Sequence, residues 1–262
     1  MAKSTDVAPP WGKAALDFLG SSDPVLAKII GQVGPLKMAY RRERFPALVR
    51  AIIFQQLAGR AAMAIYERFV KIVGRGRFPT SAQVIAAPDE AMRQAGLSRG
   101  KIAYIRDLAQ HVRDGSLNFR KFARMEDEEI IAELVQVRGI GRWTAEMFLM
   151  FNLRRPDVLP VDDLGFRSAV AKAYGLRQQP ATAELRSMGE RWRPYRSAAV
   201  WYFWQSTHLL TMDAAVKPAR HLQETPRPAK KQKANRLAKG SPAQTARRKG
   251  SPSRHPRRAA DN

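Results

Sequence analysis

In the stretch KIAYIRDLAQHV, Ile102, Ile105, Leu108, Ala109 and Val112 recur at three- and four-residue steps, the spacing of one face of an α-helix. The same stripe runs through PALVRAIIFQQLA, AAMAIYERFVKIV, DEEIIAELVQV, WTAEMFLMFNL and SAAVWYFWQSTHLL. Signals for helix starts precede several of these or stand between them: Ser22-Asp23-Pro24, Thr80-Ser81, Pro88-Asp89 and Ser98. Strand-length runs of alternating apolar and polar residues are scarce. The pattern therefore predicts an all-α body over residues 10–216, after a short flexible leader at 1–9.

From Lys217 the pattern stops. Residues 217–262 mix Pro, Gly, Ser and basic residues with almost no large apolar side chains, so they cannot bury enough surface to offset the entropy of ordering. A disordered tail rich in Lys, Arg and Pro is expected there. It carries fourteen Lys and Arg against Glu224 and Asp261, so about half of the chain's net charge of +23 remains in the body. A basic body with a basic tail points to a polyanionic partner, and nucleic acid suits it better than a membrane surface. The chain has no cysteine, which excludes disulfides, thiolate zinc sites and cysteine-held iron–sulfur clusters. It shows neither an apolar run long enough to span a bilayer nor a signal-peptide pattern, so a soluble intracellular protein is expected.

Two short stretches carry the chemistry. In LVQVRGIGRWTAEMF, a helix ending near Val137 meets Gly139-Ile140-Gly141 and another starts near Arg142, giving a hairpin over residues 134–146. Two glycines one apart permit backbone angles closed to other residues, Ile140 can plug the gap between the helices, and the turn presents bare N–H groups suited to a phosphate. About twenty residues on, VLPVDDLGFRSAV places Asp162 and Asp163 at the start of a further helix. An Asp there is ordinarily a cap, but two in a row need only one to cap.

The hairpin VRGIGRWTA followed at this distance by LPVDDLG resembles the helix–hairpin–helix superfamily of DNA base-excision glycosylases, in particular its 3-methyladenine DNA glycosylase II (AlkA-like) branch. LVRAIIFQQLAGRAAMAIYERF, AGLSRGKIAYIRDLA and ERWRPYRSAAVWYFW fit that branch in the same order, so the likeness covers most of residues 45–210. The resemblance implies two helical subdomains with a cleft between them. It also implies an enzyme that extrudes a damaged base from duplex DNA and hydrolyses its bond to the sugar, the first step of base-excision repair.

The resemblance distributes roles over the residues. Its Pro-x-x-Asp-Leu-Gly pattern is Pro160 to Gly165 here and selects Asp163 as the carboxylate that stabilises positive charge on the sugar, with Asp162 as the alternate register. Trp143, Met147, Leu164 and Trp204 are the implied base pocket, in which an aromatic face attracts a base made cationic by alkylation. Trp201, Tyr202 and Phe203 read as core. Gln56 and Leu57 resemble the pair that fills the gap left by the extruded base, and Arg138, Gly139, Gly141 and Arg142 would grip the DNA backbone, with Arg99 and Lys101 as further contacts. Relatives that also cut the strand carry a Lys where Trp143 stands, so a monofunctional hydrolase without lyase activity is expected. Met147 replaces a Tyr and Arg138 a common Pro, which leaves the lesion range and the tightness of the turn open.

No cofactor is implied beyond a monovalent cation that many such hairpins hold through carbonyls. The expected partner is double-stranded DNA containing alkylated bases, bound by a monomer, with no membrane. The expected location is the nucleoid of a bacterium or the nucleus of a eukaryote. The alternative from another class is a noncatalytic helix–hairpin–helix DNA-binding protein, which would have no need of a carboxylate facing phosphates.

Overall fold

In a computed structural model, residues 5–216 are described. The tail expected at 217–262 lies outside the described residues. The helices are α1 (Gly12–Ser22), α2 (Pro24–Val33), α3 (Arg44–Phe54), α4 (Gly59–Ile72), α5 (Ser81–Ala86), α6 (Asp89–Gln94) and α7 (Arg99–Asp114). They continue as α8 (Asp127–Leu134), α9 (Arg142–Phe148), α10 (Leu164–Tyr174), α11 (Thr182–Gly189) and α12 (Arg196–Val216). None of the described helices is long and apolar enough to cross a membrane.

The predicted starts are where the caps sit. Asp23 accepts from the N–H groups of Val25 and Leu26 with Pro24 in the first turn, Thr80 forms a reciprocal capping box with Gln83, and Ser98 accepts from Lys101 N–H. Asp23 does more than cap, because it is buried and also accepts from Trp192 Nε1 at 2.9 Å and from the Tyr174 hydroxyl. Hydrogen-bonding to both partners from the start of α2, it ties that helix to the end of α10 and to the turn before α12. Buried Phe166, Trp192, Tyr202 and Phe203 fill the interior around it.

The helices form two groups. α1, α2, α10 and α12 pack on one another, and α3 to α7 pack on one another, with the α8–α9 hairpin joined to the second group through α3. The N-terminal helices thus close against the C-terminal ones, and the chain between them forms the other half.

One expectation needs correction. Part of the leader is a strand: β1 (Thr5–Val7) pairs antiparallel with β2 (Met38–Tyr40), Thr5 opposite Tyr40 and Val7 opposite Met38. Three-residue strands give no readable alternation, so the ribbon is set by where α2 delivers Met38, a buried residue. β2 runs on to Arg41, whose N–H donates to Phe151 O at 3.1 Å and whose carbonyl accepts from Asn152 Nδ2 at 2.8 Å. Phe151 and Asn152 belong to a π-helical turn, Leu149–Leu153, that continues α9.

Candidate active site

The hairpin is built as its sequence suggests, but its two glycines do different work. Gly139 adopts φ +81°, and a Cβ on it would stand 2.3 Å from the Tyr104 ring, so both conformation and space require glycine there. Gly141 precedes α9 in an extended conformation with open space where a Cβ would go. Ile140 is buried between α8 and α9, the plug expected of it. Among the described residues, the N–H groups of Gly139 and Gly141 donate to no acceptor, which leaves both available to an anion at the turn.

Residues on α3 and α7 fix the hairpin from behind. Gln55, beyond the last turn of α3, donates from Nε2 to Gly139 O at 2.7 Å. Lys101 Nζ donates to the carbonyls of Ile53 and Gln55 at 2.6 and 2.8 Å, closing the C-terminus of α3. The Lys101 ammonium, expected to face DNA, completes a helix end with these two bonds, and burial lowers its pKa. Past this junction the chain turns outward: Gln56 takes φ +56°, and Gln56 and Leu57 are exposed, Leu57 by 39%. An exposed leucine on a stiffened turn is unlike the core position its helical stripe suggested.

Asp163 is the centre of the site. It is the N-cap of α10, its Oδ1 accepting from Phe166 N–H. Trp143 Nε1 donates to its Oδ2 at 2.8 Å and Trp204 Nε1 to its Oδ1 at 3.2 Å. One carboxylate thus joins the hairpin helix α9, the start of α10 and the middle of α12, the seam of the two helical groups. Asp162 is exposed and has no such partners among the described residues. Gly165 is the unforeseen member of this cluster, because a Cβ there would stand 3.2 Å from Asp163 Oδ1 and 3.9 Å from Trp204 Nε1.

Around the carboxylate, Trp143 is 48% exposed and Leu164 66%, apolar surfaces of a kind normally buried. Trp204 is half-buried and stacks on Phe151, ring centroids 6.2 Å apart. Met147, one turn after Trp143, lines a neighbouring cavity of about 140 Å³. Trp201, Tyr202 and Phe203 are buried, as read from their sequence.

Two basic residues assigned to the backbone grip differ. The Arg138 side chain is largely exposed, 3.6 Å from Asp107, while its N–H donates to that same carboxylate. The Arg142 guanidinium is instead engaged by Glu128 on α8 and by Glu146 one turn along α9, so it clasps the hairpin's helices. Glu146 is buried, and burial, reinforced by Asp162 and Glu128 and opposed by Arg142, pushes its pKa up to about 7. A larger cavity of about 470 Å³ beside it is lined by charged residues, several of them paired, including Arg142 with Glu128 and Arg196 with Asp157.

A helical body of two halves, a glycine hairpin with free N–H groups and a carboxylate cradled by two indoles at the seam together fit a DNA-repair fold. Residues 49–194 match the HhH-GPD superfamily of base excision DNA repair proteins, and the chain belongs to that family. It is 36% identical to DNA-3-methyladenine glycosylase 1 of Schizosaccharomyces pombe over 75% of this chain and 86% of that protein. Its fold is similar to that of the Schizosaccharomyces pombe 3-methyladenine DNA glycosylase in complex with abasic DNA, with a TM-score of 0.64, 34% identity, and 74% and 97% of the two chains covered. A DNA-3-methyladenine glycosidase from Bacillus halodurans matches with a TM-score of 0.71, 34% identity and 80% and 95% coverage. The fold is also shared, at 16% identity and a TM-score of 0.60 over 80% and 74% of the two chains, with an 8-oxoguanine glycosylase/lyase of Clostridium acetobutylicum.

Proposed function

We propose that this protein is a monofunctional DNA glycosylase that extrudes alkylated bases of the 3-methyladenine type from duplex DNA and releases them by hydrolysis. The observation that carries the reading is the Asp163 carboxylate held by Trp143 and Trp204 at the seam. As the bond to the base breaks, the sugar becomes positively charged, and a fixed carboxylate beside it lowers the energy of that state and orients the incoming water. The indole faces hold the extruded base, with cation–π attraction of about 0.5–2 kcal/mol for one carrying positive charge. Leu57 fills the stack it leaves, and the Gly139 and Gly141 N–H groups bind a phosphate near it.

The fold is shared with a glycosylase/lyase, so the absence of strand cutting rests on the residues. No lysine stands at the hairpin position; Trp143 occupies it. Names carried by the similar proteins support the choice of 3-methyladenine as substrate class. The reaction needs no cofactor, since water and the carboxylate suffice. A monovalent cation at the hairpin would share the carbonyls of Val137, Gly139 and Gly141, each of which accepts one N–H and keeps a second lone pair. The protein works as a monomer on its DNA.

The deciding experiment measures free base released from methylated duplex DNA, together with strand cutting and DNA binding, by the wild type, Asp163→Asn and Asp162→Asn. Release without cutting, lost at least about 100-fold in Asp163→Asn with binding kept and unchanged in Asp162→Asn, is expected. No release by the wild type would leave a noncatalytic DNA-binding protein.

A further inference from the structure

The small cavity next to the pocket has a wall that the reading above does not use. The cavity is lined by Thr144, Met147 and Phe151 and also by two arginines, Arg50 of α3 and Arg41 after β2. Met147 lies one turn from Trp143, and Phe151 stacks on Trp204, which donates to Asp163. The cavity is therefore one ring removed from the carboxylate.

Both arginines are held there. The backbone of Arg41 is bonded in both directions to Phe151 and Asn152, and the Arg50 guanidinium lies over the Phe54 ring, 3.7 Å from its centroid. Neither is ion-paired to a carboxylate among the described residues, in contrast to Arg106, Arg142, Arg155, Arg193 and Arg196. Burial and the charge of Arg41 both lower the Arg50 pKa, so the two cations act on each other, while Glu43 acts on the neighbouring Tyr66 hydroxyl. Two half-buried cations without an ion-pair partner destabilise any further positive charge brought near them.

Base excision moves charge in the direction this wall favours. When the bond between C1′ of the sugar and the base nitrogen breaks, the electron pair goes to the base. A base alkylated to a cation then leaves neutral, the sugar takes up the positive charge, and water adds to C1′ and gives up a proton to solvent. We infer that Arg41 and Arg50, behind the base pocket and one ring removed from it, form an electropositive backing that disfavours a cationic base before cleavage and drives its charge toward the sugar and Asp163. This rests on the glycosylase reading and adds to it two residues that trade binding of the lesion for speed of excision.

The test uses duplex DNA carrying 7-methylguanine, a cationic lesion, with single-turnover excision measured against enzyme concentration for the wild type, Arg50→Met, Arg41→Met and Arg50→Lys. Both Met variants are expected to cleave about tenfold more slowly while reaching half-saturation at a lower enzyme concentration, the signature of lost ground-state destabilisation. Arg50→Lys, which keeps the charge, restores both values toward the wild type. A distorted pocket would slow cleavage and weaken binding together, and that result, or unchanged kinetics in both Met variants, overturns the inference while the glycosylase reading stands. A wild type that releases no base overturns both.

Discussion

The side-chain amide of Gln55 donates to the carbonyl oxygen of Gly139 across 2.7 Å, linking two segments 84 residues apart. It makes one body of the turn that exposes Leu57 and the hairpin that exposes its N–H groups, so the wedge and the phosphate grip keep a fixed spacing. Gln55→Ala is expected to lower stability by only about 1 kcal/mol, the worth of one partly buried hydrogen bond. Its larger effect falls on affinity for duplex DNA containing an abasic site, which titration beside thermal unfolding would separate.

Gly165 owes its identity to Asp163. Alanine there puts a methyl group 3.2 Å from Oδ1, close enough that the carboxylate or the Trp204 indole must shift by a few tenths of an ångström. In the first turn of α10 alanine also favours the helix by up to about 1 kcal/mol relative to glycine. Gly165→Ala is therefore expected to melt no lower than the wild type while excising base about tenfold more slowly, as a displaced electrostatic group does. Equal losses of stability and rate would contradict this account.

Glu146 makes the fold sensitive to pH. Its folded-state pKa of about 7 lies above its ordinary 4.5, so between those values the folded protein holds a proton that the unfolded chain has released. Stability from this group accordingly falls as pH rises through that window, by on the order of 3 kcal/mol in all. Glu146→Gln keeps the neutral form at every pH. Denaturant unfolding at pH 5 and pH 8 should show the variant gaining on the wild type at the higher pH, and a difference that is the same at both would refute the assignment.

Trp143→Lys places an amine where relatives that cut the strand carry one. Beside Asp163, which the Trp143 indole approaches to 2.8 Å, that amine is favoured in its charged form, whereas Schiff-base formation requires the neutral one. The variant is expected to leave abasic product uncut and to give no borohydride-trapped adduct above background. Efficient trapping would mean that the surroundings permit lyase chemistry after all.

Local spacing in the sequence determined much of this protein. Helical stripes, the caps at Asp23, Thr80 and Ser98, the turn at Gly139 and the pattern from Pro160 to Gly165 depend on contacts within about four residues, so they are legible without a structure. The order of these pieces was enough to place the chain in its superfamily. Only the tertiary structure shows that Asp163, and not Asp162, meets Trp143 and Trp204, because adjacent carboxylates differ just in what the chain brings to them from 20 and 41 residues away. The same holds for the intramolecular partners of Arg142 and Lys101, which are Glu128, Glu146 and the end of α3. It holds too for the β1–β2 ribbon, for Gln55 and for the Arg41–Arg50 wall. A charge or an amide carries no mark of its partner in the chain, since what it bonds is set by the packing of distant helices.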